Sequence, residues 1–201
     1  MRDTSGFTLL PGRLDAAAQA ALVDVVLAAA RAAPFRHQGT PGGKRMSVAM
    51  TGMGPLSWVS DTAGYRYEDR HPLTGKPWPP MPQVLQDLWA EHADAEVPAD
   101  ACLVNRYDAD ARMSLHQDQD EADFGFPVLS VSLGDTAVFR IGGPKRGDPT
   151  RSVRLASGDV CLLAGASRTA FHGVDRILAG SSRLIPGGGR INLTLRRARP
   201  A

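Results

Sequence analysis

The sequence predicts a mainly β domain, a sandwich or jelly roll with helices flanking it. Three observations carry this. From residue 101 onward, short β-branched or alternating runs are separated by Gly, Pro and Asp. Only two stretches show helical spacing. The chain also holds 21 Gly and 15 Pro, which suits turn-rich β structure better than a helical bundle. At 201 residues the chain is long enough for one well-buried domain and short for two, so residues 1–201 are read as a single domain.

Residues 14–33 are rich in Ala, Leu and Val without internal Pro or Gly and read as a helix that Pro34 ends. Residues 35–80 carry the pair Gly42 and Gly43, a short β-like run at 46–51 and the aromatics Trp58, Tyr65 and Tyr67. They read as a lid or binding segment of loops and short strands. A second helix fits residues 82–95, with Val84, Leu85, Leu88 and Trp89 at helical spacing and Pro82 in its first turn. The strand-like runs that follow are ACLVNRY, VLSVSLG, TAVFRIGG, SVRLASGDVCLLA and INLTLR, and a basic RRARPA reads as a frayed end.

Composition narrows the class. A net charge of +2 does not by itself imply nucleic acid. Cys102 and Cys161 sit in apolar runs and read as buried hydrophobes in a reducing compartment. The sequence has neither a signal-peptide core nor a membrane-spanning run, so a cytoplasmic protein is expected.

One triplet carries chemistry. His116 and Asp118 follow a strand-like Ser114–Leu115, and residues two apart in an extended segment point to one face. With His172, read at the end of a later strand, they form a two-histidine, one-carboxylate set. Such a set leaves coordination sites open, as in non-haem iron(II) oxygenases. Other readings stay open on these residues alone. The acidic run from Asp118 to Asp123 invites a calcium loop, although its sixth position is Asp123 where an EF-hand needs Gly, and His172 could be a core histidine. The C-terminal strand adds weight: Arg190, Asn192, Thr194 and Arg196 share one face, with Ile191, Leu193 and Leu195 on the other. Two arginines on an interior face call for an anion such as a dicarboxylate, unless that face is a solvated edge.

These motifs together resemble the AlkB family of iron(II)- and 2-oxoglutarate-dependent dioxygenases that repair alkylated nucleic acid, in particular its bacterial members. The likeness rests on NRY at 105–107, SLHQDQDE at 114–121, FHG at 171–173 and RINLTLR at 190–196. It extends through TPGG at 40–43, MSVAMT at 46–51, GKPWPPMP at 75–82, GGPKRGDP at 142–149 and SGDV at 157–160, covering residues 35–196 in unbroken order. It implies a double-stranded β-helix (jelly roll) core over residues 101–196, with a nucleotide-recognition lid over residues 35–80. It implies iron(II) on His116, Asp118 and His172, with 2-oxoglutarate and dioxygen as cosubstrates.

The resemblance also implies that Arg190 and Tyr107 meet the distal carboxylate of 2-oxoglutarate, with Asn105, Asn192 and Arg196 completing that pocket. A flipped base would stack between Trp58 and His116. Tyr65 would hold the adjacent phosphate, Asp120 would face the exocyclic amine, and Thr40, Met50 and Arg146 would line the substrate side. The implied activity is oxidative demethylation of 1-methyladenine- and 3-methylcytosine-type bases in DNA, single-stranded above all, with RNA a further candidate, by a monomer. Such bases are cationic, and Asp118, Asp120 and Glu121 concentrate negative charge beside the pocket. The basic residues Arg36, Lys44, Arg45, Lys145, Arg146, Arg151 and Arg154 are grouped to meet a phosphate backbone. Two positions depart from the family pattern: Lys44 replaces a Tyr after TPGG, and Leu163 stands where a Trp is expected. An oxygenase acting on a protein or small molecule, and a non-catalytic damage-binding module, are the rival readings.

Overall fold

A computed structural model describes residues 6–94 and 96–200. Ala95, the expected last residue of the second helix, lies outside the described residues. The chain runs β1 (Phe7–Leu10), α1 (Ala16–Ala32), β2 (Arg36–Gly39), β3 (Arg45–Met53), β4 (Ser57–Asp61), β5 (Gly64–Glu68) and α2 (Gln83–His92). It continues through β6 (Ala101–Tyr107), β7 (Met113–His116), β8 (Val128–Gly134), β9 (Thr136–Ile141), β10 (Arg151–Leu155), β11 (Val160–Leu163), β12 (His172–Leu178) and β13 (Arg190–Arg196). A seven-stranded sheet has the order β1-β11-β8-β13-β6-β3-β2, a four-stranded sheet the order β10-β9-β12-β7, and β4 and β5 form a separate hairpin. The strand pairs are antiparallel, and the larger and smaller sheets face each other as a jelly roll.

The period-2 alternation of the larger sheet makes two cores. Its outward residues, among them Val104, Leu129, Val131, Leu133, Ile191, Leu193 and Leu195, pack against Leu22, Val23 and Val26 of α1 and Leu85, Leu88 and Trp89 of α2. Its inward residues Leu103, Tyr107, Val128, Cys161 and Leu163 meet Phe139, Ile141, Leu155, Val174 and Ile177 of the smaller sheet and its connections. Asp15 caps α1 by accepting from the Ala18 amide at 2.8 Å. That helix stops at Ala32 because Ala33, which precedes Pro34, leaves the helical region (φ −126°, ψ 84°). Pro82 sits one position outside α2, not in its first turn.

Several elements differ from the sequence reading. The run SVRLASGDVCLLA is two strands, β10 and β11, on opposite sheets, reversed through Gly158 at φ +87°. The segment 35–80 is less separate than expected. Five of the nine residues of β3 pair with β6, from Ala49↔Arg106 to Met53↔Cys102, so β2 and β3 of the supposed lid extend the larger sheet, while β4 and β5 form a hairpin of their own. The RRARPA end is anchored, not frayed, as far as it is described. Asp100 accepts from the amides of Ala198 at 2.6 Å and Arg199 at 3.2 Å. No helix among the described residues is long and apolar enough to cross a membrane.

Asp135 fixes the approach to β13. Its buried carboxylate accepts from the amides of Gly180 (3.2 Å), Ser182 (2.9 Å) and Gly189 (3.2 Å), clamping the turn that delivers Arg190. Asp135→Ala leaves those amides without their acceptor and should cost about 3 kcal/mol, read as a lower urea midpoint at unchanged slope.

Candidate metal centre and its cavity

The two histidines meet because of strand register. His116 closes β7 and His172 opens β12, so His172 starts its strand and does not end one; the two are direct cross-strand partners. Their ring centroids lie 4.5 Å apart. Only glycine fits at 173, since a Cβ there would come within 2.4 Å of the Met113 carbonyl oxygen, and this close approach brings the pair together. Asp118, just beyond β7, turns inward: Oδ1 lies 3.8 Å from His116 Nε2 and Oδ2 lies 3.8 Å from His172 Nε2. One ligand atom from each residue falls within 4.8 Å of the others.

Backbone carbonyls fix the tautomers. His116 Nδ1 donates to the Ser114 oxygen and His172 Nδ1 to the Ala170 oxygen, each at 2.9 Å, so Nε2 is the nitrogen that each ring turns toward the same point. Burial pushes the His172 pKa down to about 4, which keeps that nitrogen unprotonated at neutral pH. Burial alone would raise the Asp118 pKa, but Arg196 first, with the two histidines, outweighs it and holds the carboxyl well below its ordinary range. Since His172 is itself neutral, Arg196 carries most of this. Two imidazoles and a carboxylate are a donor set for a divalent transition metal with open positions. Neither the calcium reading nor the core-histidine reading accounts for this convergence.

The centre opens into a cavity of about 680 Å³. Asn105, Tyr107, Arg190, Asn192 and Arg196 line it from β6 and β13, and Thr40, Met50, Trp58, Tyr65, Asp120 and Arg146 line it from the other side. Arg190 is 1% exposed and forms no ion pair among the described residues. Its Nη2 donates to Ser132 Oγ at 2.8 Å and Nη1 to the Leu155 oxygen at 3.1 Å, while Nε has no acceptor. Burial lowers its pKa. Asp159, whose field reaches it, is already bonded to the amides of Gly12 and Ala156, each at 2.8 Å. Asn105 Oδ1 is likewise buried without a donor. A cavity wall with an unmet guanidinium donor is the chemistry a carboxylate ligand completes.

Arg196 differs, and the expectation of two unmet arginines needs correcting. Its Nη2 donates to Asp118 Oδ2 at 2.8 Å and its Nε lies 3.1 Å from Glu121 Oε1, an ion pair without hydrogen-bond alignment. Glu121 also accepts from Arg168 Nη2 at 2.9 Å and from the Tyr67 hydroxyl. The acidic run therefore does not present a block of negative charge to a ligand. Asp118 and Glu121 are neutralised from within, Asp123 bonds the Gly125 amide at 2.7 Å, and Asp120 lines the cavity without an ion pair among the described residues.

On that side Trp58 stacks on Tyr65, with centroids 5.4 Å apart at 20°, and donates through Nε1 to Asp120 Oδ2 at 2.7 Å. Gln38, not singled out in the sequence, holds this hairpin in place. Fully buried, it accepts from the Ser60 amide and from Arg36 at 3.0 Å, and donates toward the Trp58 oxygen at 3.4 Å and Met50 Sδ at 3.3 Å. A polar residue at an inward position of β2 was the available signal. Among the basic residues, Arg45 and Arg146 reach the cavity wall, as does Arg112, which the sequence reading passed over; Arg36, Lys44, Lys145, Arg151 and Arg154 do not. Arg146 packs over Phe171 and donates to the Leu115 oxygen at 2.8 Å. Lys44 closes an exposed turn with Thr40, and Arg151 lies over Phe7. Leu163 lines the cavity opposite Phe7, which stacks on Phe139 at 6.0 Å; β1, unread in the sequence, thus supplies the aromatic bulk beside that position.

Comparison with known proteins agrees with this geometry. Residues 6–196 match the model of the 2OG-Fe(II) oxygenase superfamily. The chain is 68% identical over 196 residues to the alpha-ketoglutarate-dependent dioxygenase AlkB homolog of Caulobacter vibrioides, covering 98% of this chain and 89% of that one. It is 47% identical over 169 residues to the alpha-ketoglutarate-dependent dioxygenase AlkB of Escherichia coli, covering 82% and 78%. The solved structure of OsALKBH1 superposes with a TM-score of 0.86 at 30% identity, over 98% of this chain and 99% of that one. The chain belongs to the 2OG-Fe(II) oxygenase superfamily, and its cofactor and cosubstrates are iron(II), 2-oxoglutarate and dioxygen.

Proposed function

We propose that the protein is an oxidative demethylase of N-alkylated bases in DNA, with RNA as a second polymer, acting as a cytoplasmic monomer. The observation that carries this reading is the pairing of a His-Asp-His centre with a stacked Trp58–Tyr65 wall in one cavity. Relatives named AlkB at 46–68% identity, and nucleic acid dioxygenase ALKBH1 of mouse at 34% over 128 residues, support the choice of substrate.

His116 Nε2, Asp118 and His172 Nε2 would hold the iron, and Arg190 with Tyr107 would take the distal carboxylate of 2-oxoglutarate, with Asn105, Asn192 and Arg196 beside it. The loaded centre supplies the oxidation that hydroxylates an N-methyl group, which leaves as formaldehyde while 2-oxoglutarate becomes succinate and carbon dioxide. The protein binds, orients and excludes water. The flat Trp58 face suits a planar base, and a base whose methyl blocks pairing is cheaper to extrude. Asp120 bonds Trp58 through Oδ2, which leaves Oδ1 for an exocyclic amine. Because Glu121 and Asp118 are internally balanced, preference for a cationic base falls on Asp120. Thr40 and Met50 border the base pocket, while Arg45, Arg112 and Arg146 flank the mouth where phosphates would pass.

Purified protein with iron(II), 2-oxoglutarate, ascorbate and a 1-methyladenine oligonucleotide should release formaldehyde, and Asp118→Ala should release none. Release that persists in Asp118→Ala would contradict the metal assignment. Succinate formation with no turnover of methylated DNA or RNA would transfer the reading to a protein or small-molecule oxygenase. Trp58→Ala should weaken oligonucleotide binding by about 1–3 kcal/mol. In Arg112→Ala the slope of log affinity against log salt should become shallower by about 0.7 for single-stranded DNA.

A further inference from the structure

The side-on edge of the Arg196 guanidinium, Nε and Nη2, is the fork that guanidinium groups use to grip both oxygens of one carboxylate. Here it is split. Nη2 takes Asp118 Oδ2 at 2.8 Å, and Nε is drawn to Glu121 Oε1 at 3.1 Å. Asp118 Oδ1 therefore carries no guanidinium and faces His116 Nε2. Glu121 is held in the position that does this. Arg168, 2% exposed, bonds Glu121 Oε2 and the Asp118 main-chain oxygen, each at 2.9 Å, and its Nε bonds the Phe126 oxygen at 2.9 Å. The Tyr67 hydroxyl donates to Glu121 Oε1 from β5.

We propose that Glu121 is a positioning residue for the metal centre: by occupying one arm of the Arg196 fork it keeps one oxygen of Asp118 free for the ion. The proposal rests on His116, Asp118 and His172 being the iron ligands. Two carboxylates and two guanidiniums balance in this buried cluster. Removing the Glu121 charge leaves Arg196 with Asp118 as its only anionic partner there. The fork then closes on both oxygens, and the ion must compete with a guanidinium for its ligand. A purely structural role, bracing the segment between β7 and β8, would change stability without changing metal affinity.

The test is Co(II) titration of the metal-free full chain, read from the cobalt absorption bands, with thermal unfolding of each metal-free variant recorded alongside. Glu121→Gln should weaken Co(II) binding by about 10-fold or more, the range seen when groups supporting metal ligands are removed. Tyr67→Phe, which removes one hydrogen bond to Glu121 but leaves its carboxylate and the Arg168 pair in place, should weaken Co(II) binding by much less than Glu121→Gln. If Glu121→Gln does not fold, Glu121→Asp carries the same expectation, since it keeps the charge but withdraws it by one methylene. A folded Glu121 variant with wild-type Co(II) affinity overturns the proposal. So does a Tyr67→Phe loss equal to that of Glu121→Gln, which would assign the effect to the lost hydrogen bond and not to the Glu121 charge. Asp118→Asn separates the two levels: undiminished Co(II) binding there refutes the ligand assignment itself, whatever the Glu121 variants do.

Discussion

A guanidinium in the middle of the jelly roll with no anion of its own is the constraint around which the cavity is arranged. Arg190 is delivered by the first residue of β13, and its donors reach a serine hydroxyl and carbonyl oxygens but no carboxylate. Burying a cation in that way is costly unless a ligand completes it. The surrounding structure is built to bear the cost. Asp135 clamps the turn before β13, and β13 is paired on both sides, with β6 and with β8. The iron-binding cosubstrate of the family is a dicarboxylate, and one of its ends has this place to go.

Arg196, six residues further along the same strand face, follows the opposite logic. Its charge is met inside the protein by Asp118 and Glu121, and Glu121 in turn by Arg168. On the proposed assignment, one arginine is kept for a ligand and the other sets the protonation and orientation of a metal ligand. The distinction depends on which carboxylates fold back toward the strand. The β4–β5 hairpin is tied into the same region through Tyr67 to Glu121 and Trp58 to Asp120, so the recognition wall and the metal centre share their supports.

Much of this was legible in the sequence, for identifiable reasons. Strands with strong alternation, such as β6 and β13, were readable residue by residue, because burial of one face forces a period of two. His116 and Asp118 were readable because two-residue spacing in an extended segment needs no tertiary information. β12 was missed because HGVDRIL carries a register shift after His172 and exposed Asp175 and Arg176, which break its alternation. β1 was missed because four residues at a sheet edge give too short a pattern. The pairing of Glu121 with Arg168 was not legible at all. A charge run in sequence does not reveal that its members turn to different partners, and Arg168 lies 47 residues from Glu121.

We propose Arg190 as the receptor for the distal carboxylate of 2-oxoglutarate. Equilibrium binding to the protein loaded with Mn(II), which holds the site without turnover, tests it most directly. The two ligands to compare are 2-oxoglutarate and 2-oxobutyrate, which lacks that carboxylate. Wild type should prefer 2-oxoglutarate by about 2–5 kcal/mol, the range for a buried charge pair that loses one partner, and Arg190→Met should lose most of that preference. Equal affinity of wild type for the two ligands, or an undiminished preference in a folded Arg190→Met, would contradict the account.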